Sequence, residues 1–202
     1  MKEAVFKDCK TNYLFLALKI IALVTMTMDH LAVRLDMMAR IDWDTYDLMR
    51  CFGRFSFPLF CLILSFGFFH TGNIKKYLLR MLIFALISEL PYDLCIHNSI
   101  IDLNHQNVIF TLFFGLVCLK LIDDILTNNK LFMFKIDPQN FVGKYILVIP
   151  VVMFFCAIAY LFKSEYRYEG IILIVIFYFL LSLKYTTIKI KADNEGDEEL
   201  YS

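Results

Sequence analysis

Six apolar stretches dominate this chain, each long enough or nearly long enough to cross a lipid bilayer. They run from Tyr13 to Arg34, Cys51 to Phe69, Tyr77 to Cys95, Asn107 to Leu126, Lys144 to Phe162 and Tyr168 to Leu183. The hydrocarbon layer is roughly 30 Å thick, which a helix spans with about 17–25 mainly apolar residues; the last stretch is short and must tilt little or thin the bilayer. Inside lipid every backbone N–H and C=O has to be satisfied within the protein, which confines such a pattern to helices. The fold expected is therefore an all-α polytopic membrane protein, a compact bundle of about six transmembrane helices. It occupies 1–184 as a single domain, and residues 185–202 form a frayed polar tail, since their charge leaves nothing to bury.

Composition removes other classes. With 59% of its 202 residues hydrophobic, the chain exceeds the about 45–50% usual for soluble domains. A formal net charge of +0 gives no basic field for a duplex and excludes nucleic acid as the main partner. The six cysteines show no C-x-x-C spacing and read as free thiols in apolar runs, not as a disulfide framework. Without an H-E-x-x-H or Cys/His cluster no metal is indicated, and neither a Walker loop nor a G-x-G-x-x-G element is present for ATP or NAD. The polar start and the long first run, with Asp29 and His30 inside it, read as a retained helix and not as a cleaved signal peptide.

Orientation follows from the basic residues. With the N-terminus in the cytoplasm, twelve Lys and Arg fall inside, Lys75, Lys76 and Arg80 among them, against five outside, namely Arg34, Arg40, Arg50, Lys163 and Arg167. Both termini are expected in the cytoplasm, with the chain multi-pass in a bacterial inner membrane.

Titratable groups at membrane depth are expensive and point to function. His30 lies about 17 residues into the first stretch, or roughly 25 Å at 1.5 Å per residue, in the outer half. Arg54, Glu89, Asp93, His105, Gln106 and Asn107 map to the same half from stretches running in opposite directions, as expected of one shared polar site. Met26, His30 and Arg34 share a helix face, and Lys19 returns to that face about 16.5 Å below His30. Asp29 is turned about 100° away and is expected to meet a neighbouring helix. Pro58 and Pro91 each free carbonyls of a preceding turn beside these groups.

Together these residues resemble a known family. Leu18-Lys19-Ile20 through Met28-Asp29-His30, Gly53-Arg54-Phe55-Ser56-Phe57-Pro58, Ser88-Glu89 with Pro91 and Asp93, and Asn107-Val108 with Phe110-Thr111-Leu112 resemble the TraX family of conjugation-associated membrane acetyltransferases. The resemblance is strong from Leu18 to Leu116 and weak beyond Lys120. Near the end, where the family tends to carry Asp-Tyr-Gly, this chain has Glu165-Tyr166-Arg167. The resemblance implies kinship with the wider transmembrane acyltransferases and transfer of acetyl from cytoplasmic acetyl-CoA to an amine or hydroxyl acceptor, such as the N-terminus of a pilin-like membrane peptide. Oligomerisation is left open.

That chemistry needs a base and an oxyanion partner. His30 is the first candidate base and His105 the second. Asp93 or Glu89 could orient the imidazole or hold an acceptor ammonium, Arg54 or the Asn107 amide could face the oxyanion, and Asp29 completes the candidate set. Lys19, Lys75, Lys76 and Arg80, with Arg34 on the His30 stripe, are the candidate cations for acetyl-CoA. A small proton-coupled transporter using the same acidic and histidine groups is the competing class.

Overall fold

The computed structural model describes the backbone of residues 9–97, 102, 104–127 and 141–200, and side chains within 13–96, 102, 104–127 and 143–184. Expectations for the basic residues at 2, 7, 10, 130 and 135 lie outside the described side chains. The elements are α1 (Cys9–Met37), α2 (Trp43–Arg54), α3 (Ser56–His70), α4 (Ile74–Tyr92), a π-helical turn (Asp93–His97), α5 (Val108–Thr127), α6 (Phe141–Leu161) and α7 (Arg167–Leu200). Among the described residues there is no strand, and one isolated bridge joins Gln106 to Ser164.

Where a single stretch from Cys51 was expected, the chain makes two helices with a break at Phe55. Asp42 caps α2, accepting from the Thr45 N–H at 3.1 Å, so the polar segment before Cys51 is helical instead of loop. The break follows from Pro58, which has no N–H to offer the Arg54 carbonyl. α2 is amphipathic: Leu48 and Phe52 face outward while Gly53 is buried against α1. A Cβ at Gly53 would lie 2.5 Å from Asp29 Oδ1, so only glycine lets the two helices approach this closely.

Tyr13–Met37, Trp43–His70 and Gly143–Leu161 are each long and apolar enough to cross a membrane. α4, α5 and the described part of α7 carry more charge, through Lys75, Lys76 and Arg80, through Lys120, Asp123 and Asp124, and through Arg167, Glu169 and Lys184. α4 and α7 nevertheless turn Phe84, Ile87, Ile172, Leu180 and Leu183 outward, as α1 does Leu14, Ile20 and Val24 and α6 does Ile149 and Met153. An apolar exterior of this extent has no place on a soluble monomer. The protein is a membrane protein.

The core lies between α3, α5, α6 and α7, around Cys61, Leu116, Leu119, Ile171 and Ile174, all fully buried. Gly115 has Ile174 packed where a Cβ would stand. Ser65 Oγ donates to the Ile174 carbonyl at 3.2 Å, and Tyr178 donates to Asp123 Oδ1 at 3.2 Å. Of the cysteines with described side chains, Cys51, Cys61, Cys95, Cys118 and Cys156 are free. Although residues 185–202 were expected to fray, the backbone of α7 continues helical through Leu200.

Candidate functional site

Asp29 and His30 line one small pocket, with the ring of His30 against Tyr92 at the end of α4; Glu89, Asp93 and Asn107 lie at that end of α4 and the start of α5, outside the pocket. Asp29 is 7% exposed and meets α2, as its angle to His30 requires: Arg50 Nη1 donates to its Oδ2 at 2.5 Å. The sequence reading had placed Arg50 in an outer loop. His30, half-buried, stands edge-on to Tyr92 with ring centroids 6.3 Å apart.

Glu89, Asp93 and Asn107 are engaged in holding the fold. Asn107 Nδ2 donates to the Ala85 carbonyl at 2.9 Å and to Glu89 Oε2, and its Oδ1 accepts from the Ile109 N–H at 2.9 Å at the start of α5. Its amide hydrogens are thereby committed, which removes Asn107 as an oxyanion donor. Asp93, fully buried after the Pro91 turn, accepts from the Asp102 N–H at 2.8 Å. Among the described residues, Asp29 Oδ1, Glu89 Oε1 and Asp93 Oδ1 remain without a hydrogen bond.

A second element completes this end. Between α6 and α7, Lys163, Tyr166 and Arg167 take positive φ values of 52°, 59° and 36°, a conformation that costs L-residues energy and persists only where surroundings enforce it. Here they do. Gln106 N–H donates to the Lys163 carbonyl at 3.2 Å and Glu165 N–H to the Gln106 carbonyl at 3.0 Å. Ser164 Oγ donates to the Ala159 carbonyl at 3.2 Å, and Thr111 Oγ1 donates to the Glu165 carbonyl. Tyr166 stacks on Phe57 with centroids 3.8 Å apart. Burial pushes the Glu165 carboxyl up to about 7, Asp29 adding to the rise and Arg50 opposing it.

Cavities run between the two ends. One, of about 570 Å³, is lined by Lys19, His70, Tyr77 and Arg80. An apolar groove of about 460 Å³ shares Tyr77 and Arg80 with it and adds Leu23, Met26, Phe60 and Val108. Met26, Phe60 and Val108 also line a small, partly open pocket with Asp29, His30, Glu165 and Tyr166. Glu165 and Tyr166 in turn line an outer cavity of about 590 Å³ with Arg50, Arg54, His105, Lys163 and Arg167.

Of the candidate cations, Lys19 and Arg80 line one cavity, with Lys75 and Lys76 exposed at the nearby start of α4. Arg34 does not join them: it lies fifteen residues beyond Lys19, about 22 Å along α1, past His30. Arg54 lines the outer cavity, as does His105, whose exposed ring lies 3.4 Å from Asp102 Oδ2.

The sequence profile described as TraX protein matches residues 16–191. The chain belongs to the TraX family. The match extends past Lys120, where the resemblance read from the sequence had weakened, and so takes in the strained Glu165 loop of this TraX-family protein. A curated relative, the "Probable fimbrial assembly protein FimC, serogroup H1" of Dichelobacter nodosus, is 38% identical over 111 residues, covering 52% of this chain and 44% of the relative. The matched region is thus under half the length of that relative. No solved structure matches.

Proposed function

We propose that this protein is a membrane acetyltransferase that takes acetyl from acetyl-CoA at the Lys19–Arg80 end and delivers it to an amine entering through the outer cavity. The observation carrying this reading is the chain of shared lining residues. Tyr77 and Arg80, then Met26, Phe60 and Val108, then Glu165 and Tyr166 are shared successively by a cationic cavity, an apolar groove, a small pocket holding His30, and a polar mouth. Phosphates suit the first, a pantetheine arm the second, and proton transfer the third.

Acetyl-CoA supplies an already activated thioester. Lys19 and Arg80, with Lys75 and Lys76 nearby, hold the phosphates, and the groove beside Leu23 keeps the arm from water. His30 accepts an acceptor proton, while Arg54 at the mouth offers a cation for developing negative charge. The positive-inside pattern favours an arrangement of six spans with Lys75 and both termini in the cytoplasm. A pilin-like membrane peptide is the acceptor favoured by the family and by the name of the FimC relative. Against a proton-coupled transporter stands the engagement of Glu89 and Asp93 in fixed hydrogen bonds.

The test is transfer of labelled acetyl from CoA to a peptide amine by the purified protein in lipid nanodiscs. We expect transfer by the wild-type protein and a loss of about 10²–10⁴-fold in His30→Ala, the usual range for a general base. Absence of transfer by the wild type would refute the reading.

A further inference from the structure

We propose that Glu165 is a second acid–base residue of this site, removing the first proton from an ammonium acceptor and passing it to the outer cavity while His30 moves the second. This rests on the acyl-transfer reading above and deepens it.

Position is the first argument. Glu165 and Tyr166 line both the small pocket with Asp29 and His30 and the outer cavity, so Glu165 stands between the proposed reacting centre and solvent. Tyr166 stacks on Phe57 and stays protonated at neutral pH, its hydroxyl pushed up to about 12 by burial and by Glu165 and Asp29. That leaves Glu165 as the proton carrier of the two.

The second argument is availability. Asp29 is held by Arg50, Glu89 by Asn107 and Asp93 by the Asp102 N–H. Among the described residues the Glu165 carboxyl takes no comparable bond. Its backbone is nonetheless pinned at the N–H by Gln106 and at the carbonyl by Thr111, within a loop that tolerates three left-handed residues. A fixed backbone with an uncommitted carboxyl is a poor design for stability and a suitable one for proton transfer.

Proton accounting supplies the third. An ammonium carries three N–H bonds and the product amide one. Glu165 carboxylate takes the first proton, leaving a neutral amine. Its lone pair forms the N–C bond to the thioester carbonyl, the N–H proton passes to His30, the C–S bond breaks with its electrons on sulfur, and His30 returns that proton to make the CoA thiol. Glu165 then discharges its proton to the outer cavity. One base cannot hold both protons. The titratable groups that share a cavity or a charge interaction with Glu165 are Asp29 and His30 from α1, Arg50 and Arg54 from α2, Tyr92 from α4, His105 before α5, Lys163 and Tyr166 in its own loop, and Arg167, Tyr168 and Glu169 at the start of α7. The lift of its carboxyl to about 7 suits uptake and release near neutral pH.

The experiment compares full-length wild type, Glu165→Gln, Glu165→Asp and His30→Ala in nanodiscs, measuring kcat/KM for acetyl transfer to a peptide with a free α-amino group. For Glu165→Gln we expect a loss of about 15–30-fold at pH 6.5, the inverse of the neutral fraction of an amine whose value is about 7.7–8.0, that recovers as pH rises through that value, where the amine arrives neutral. Glu165→Asp should regain part of the low-pH rate, whereas His30→Ala should stay low throughout. A Glu165→Gln deficit constant with pH, or none, overturns the assignment while leaving the transferase reading intact. Wild-type protein without transfer overturns both.

Discussion

Removing Arg50 tests what holds α2 over the site. The Arg50 and Asp29 side chains are 23% and 10% exposed, and Asp29 Oδ1 has no other partner among the described residues. Breaking a buried pair costs about 3–5 kcal/mol because a charge is left uncompensated, whereas exposed pairs are worth about 0–1 kcal/mol. The partial exposure of Arg50 puts Arg50→Ala between these, at about 2–3 kcal/mol. Asp29→Asn should cost less, about 1 kcal/mol, since the stranded guanidinium can turn to water and the amide still accepts a hydrogen bond. The double variant Asp29→Asn/Arg50→Ala should cost less than the sum of the two, as members of one pair do not add. Trp43, the single tryptophan, sits 72% exposed at the start of α2. Its fluorescence during denaturation, with hydrogen exchange over 43–54, reports whether α2 lifts before the bundle opens. Strictly additive costs, or an Arg50→Ala protein within about 0.5 kcal/mol of wild type, would show that the pair does not hold α2.

Other outcomes follow from the same geometry. Leu23→Trp, in the apolar groove, should raise the KM for acetyl-CoA well above its effect on the acceptor, whereas Ala22→Trp, at a fully buried position, should abolish folding instead; steady-state kinetics and size-exclusion profiles separate the two. Asn107→Leu should lose about 2–4 kcal/mol in thermal unfolding, because it uncaps α5 and strands the Glu89 carboxylate. Cysteines placed at the exposed Gly72 and Asn104 positions should label from opposite sides of the membrane, and labelling from one side would overturn the six-span arrangement.

What the sequence made legible was depth. Membrane helices progress about 1.5 Å per residue, so counting from either end was enough to bring Asp29, His30, Glu89, Asp93 and Asn107 to one level and to separate them from Lys19. Helical angle was also readable, which is why Asp29 was expected to meet a neighbour. Function within the level was not. Whether Asn107 offers its amide to a reacting oxygen or to Ala85 and Glu89 depends on partners in space, and spacing along one chain is silent about those.

The larger omission was at junctions. Arg50 reads as a loop residue in the sequence because the apolar run begins at Cys51. The cue to the contrary was the amphipathic pattern from Trp43, opened by Asp42 and Thr45 as a cap and closed by the Pro58 restriction. Glu165 was hidden for a related reason. Its loop reads as an exposed polar connection between two spans, yet left-handed residues and cross-bonds to Gln106 and Thr111 hold it where Glu165 lines the same pocket as His30. The family's Asp-Tyr-Gly and this chain's Glu165-Tyr166-Arg167 share a carboxylate followed by tyrosine, and Arg167, with φ of 36°, stands where glycine adopts that backbone without strain. The departure at Arg167 is therefore a change of strain at the mouth of the cavity that Arg167 lines with Glu165.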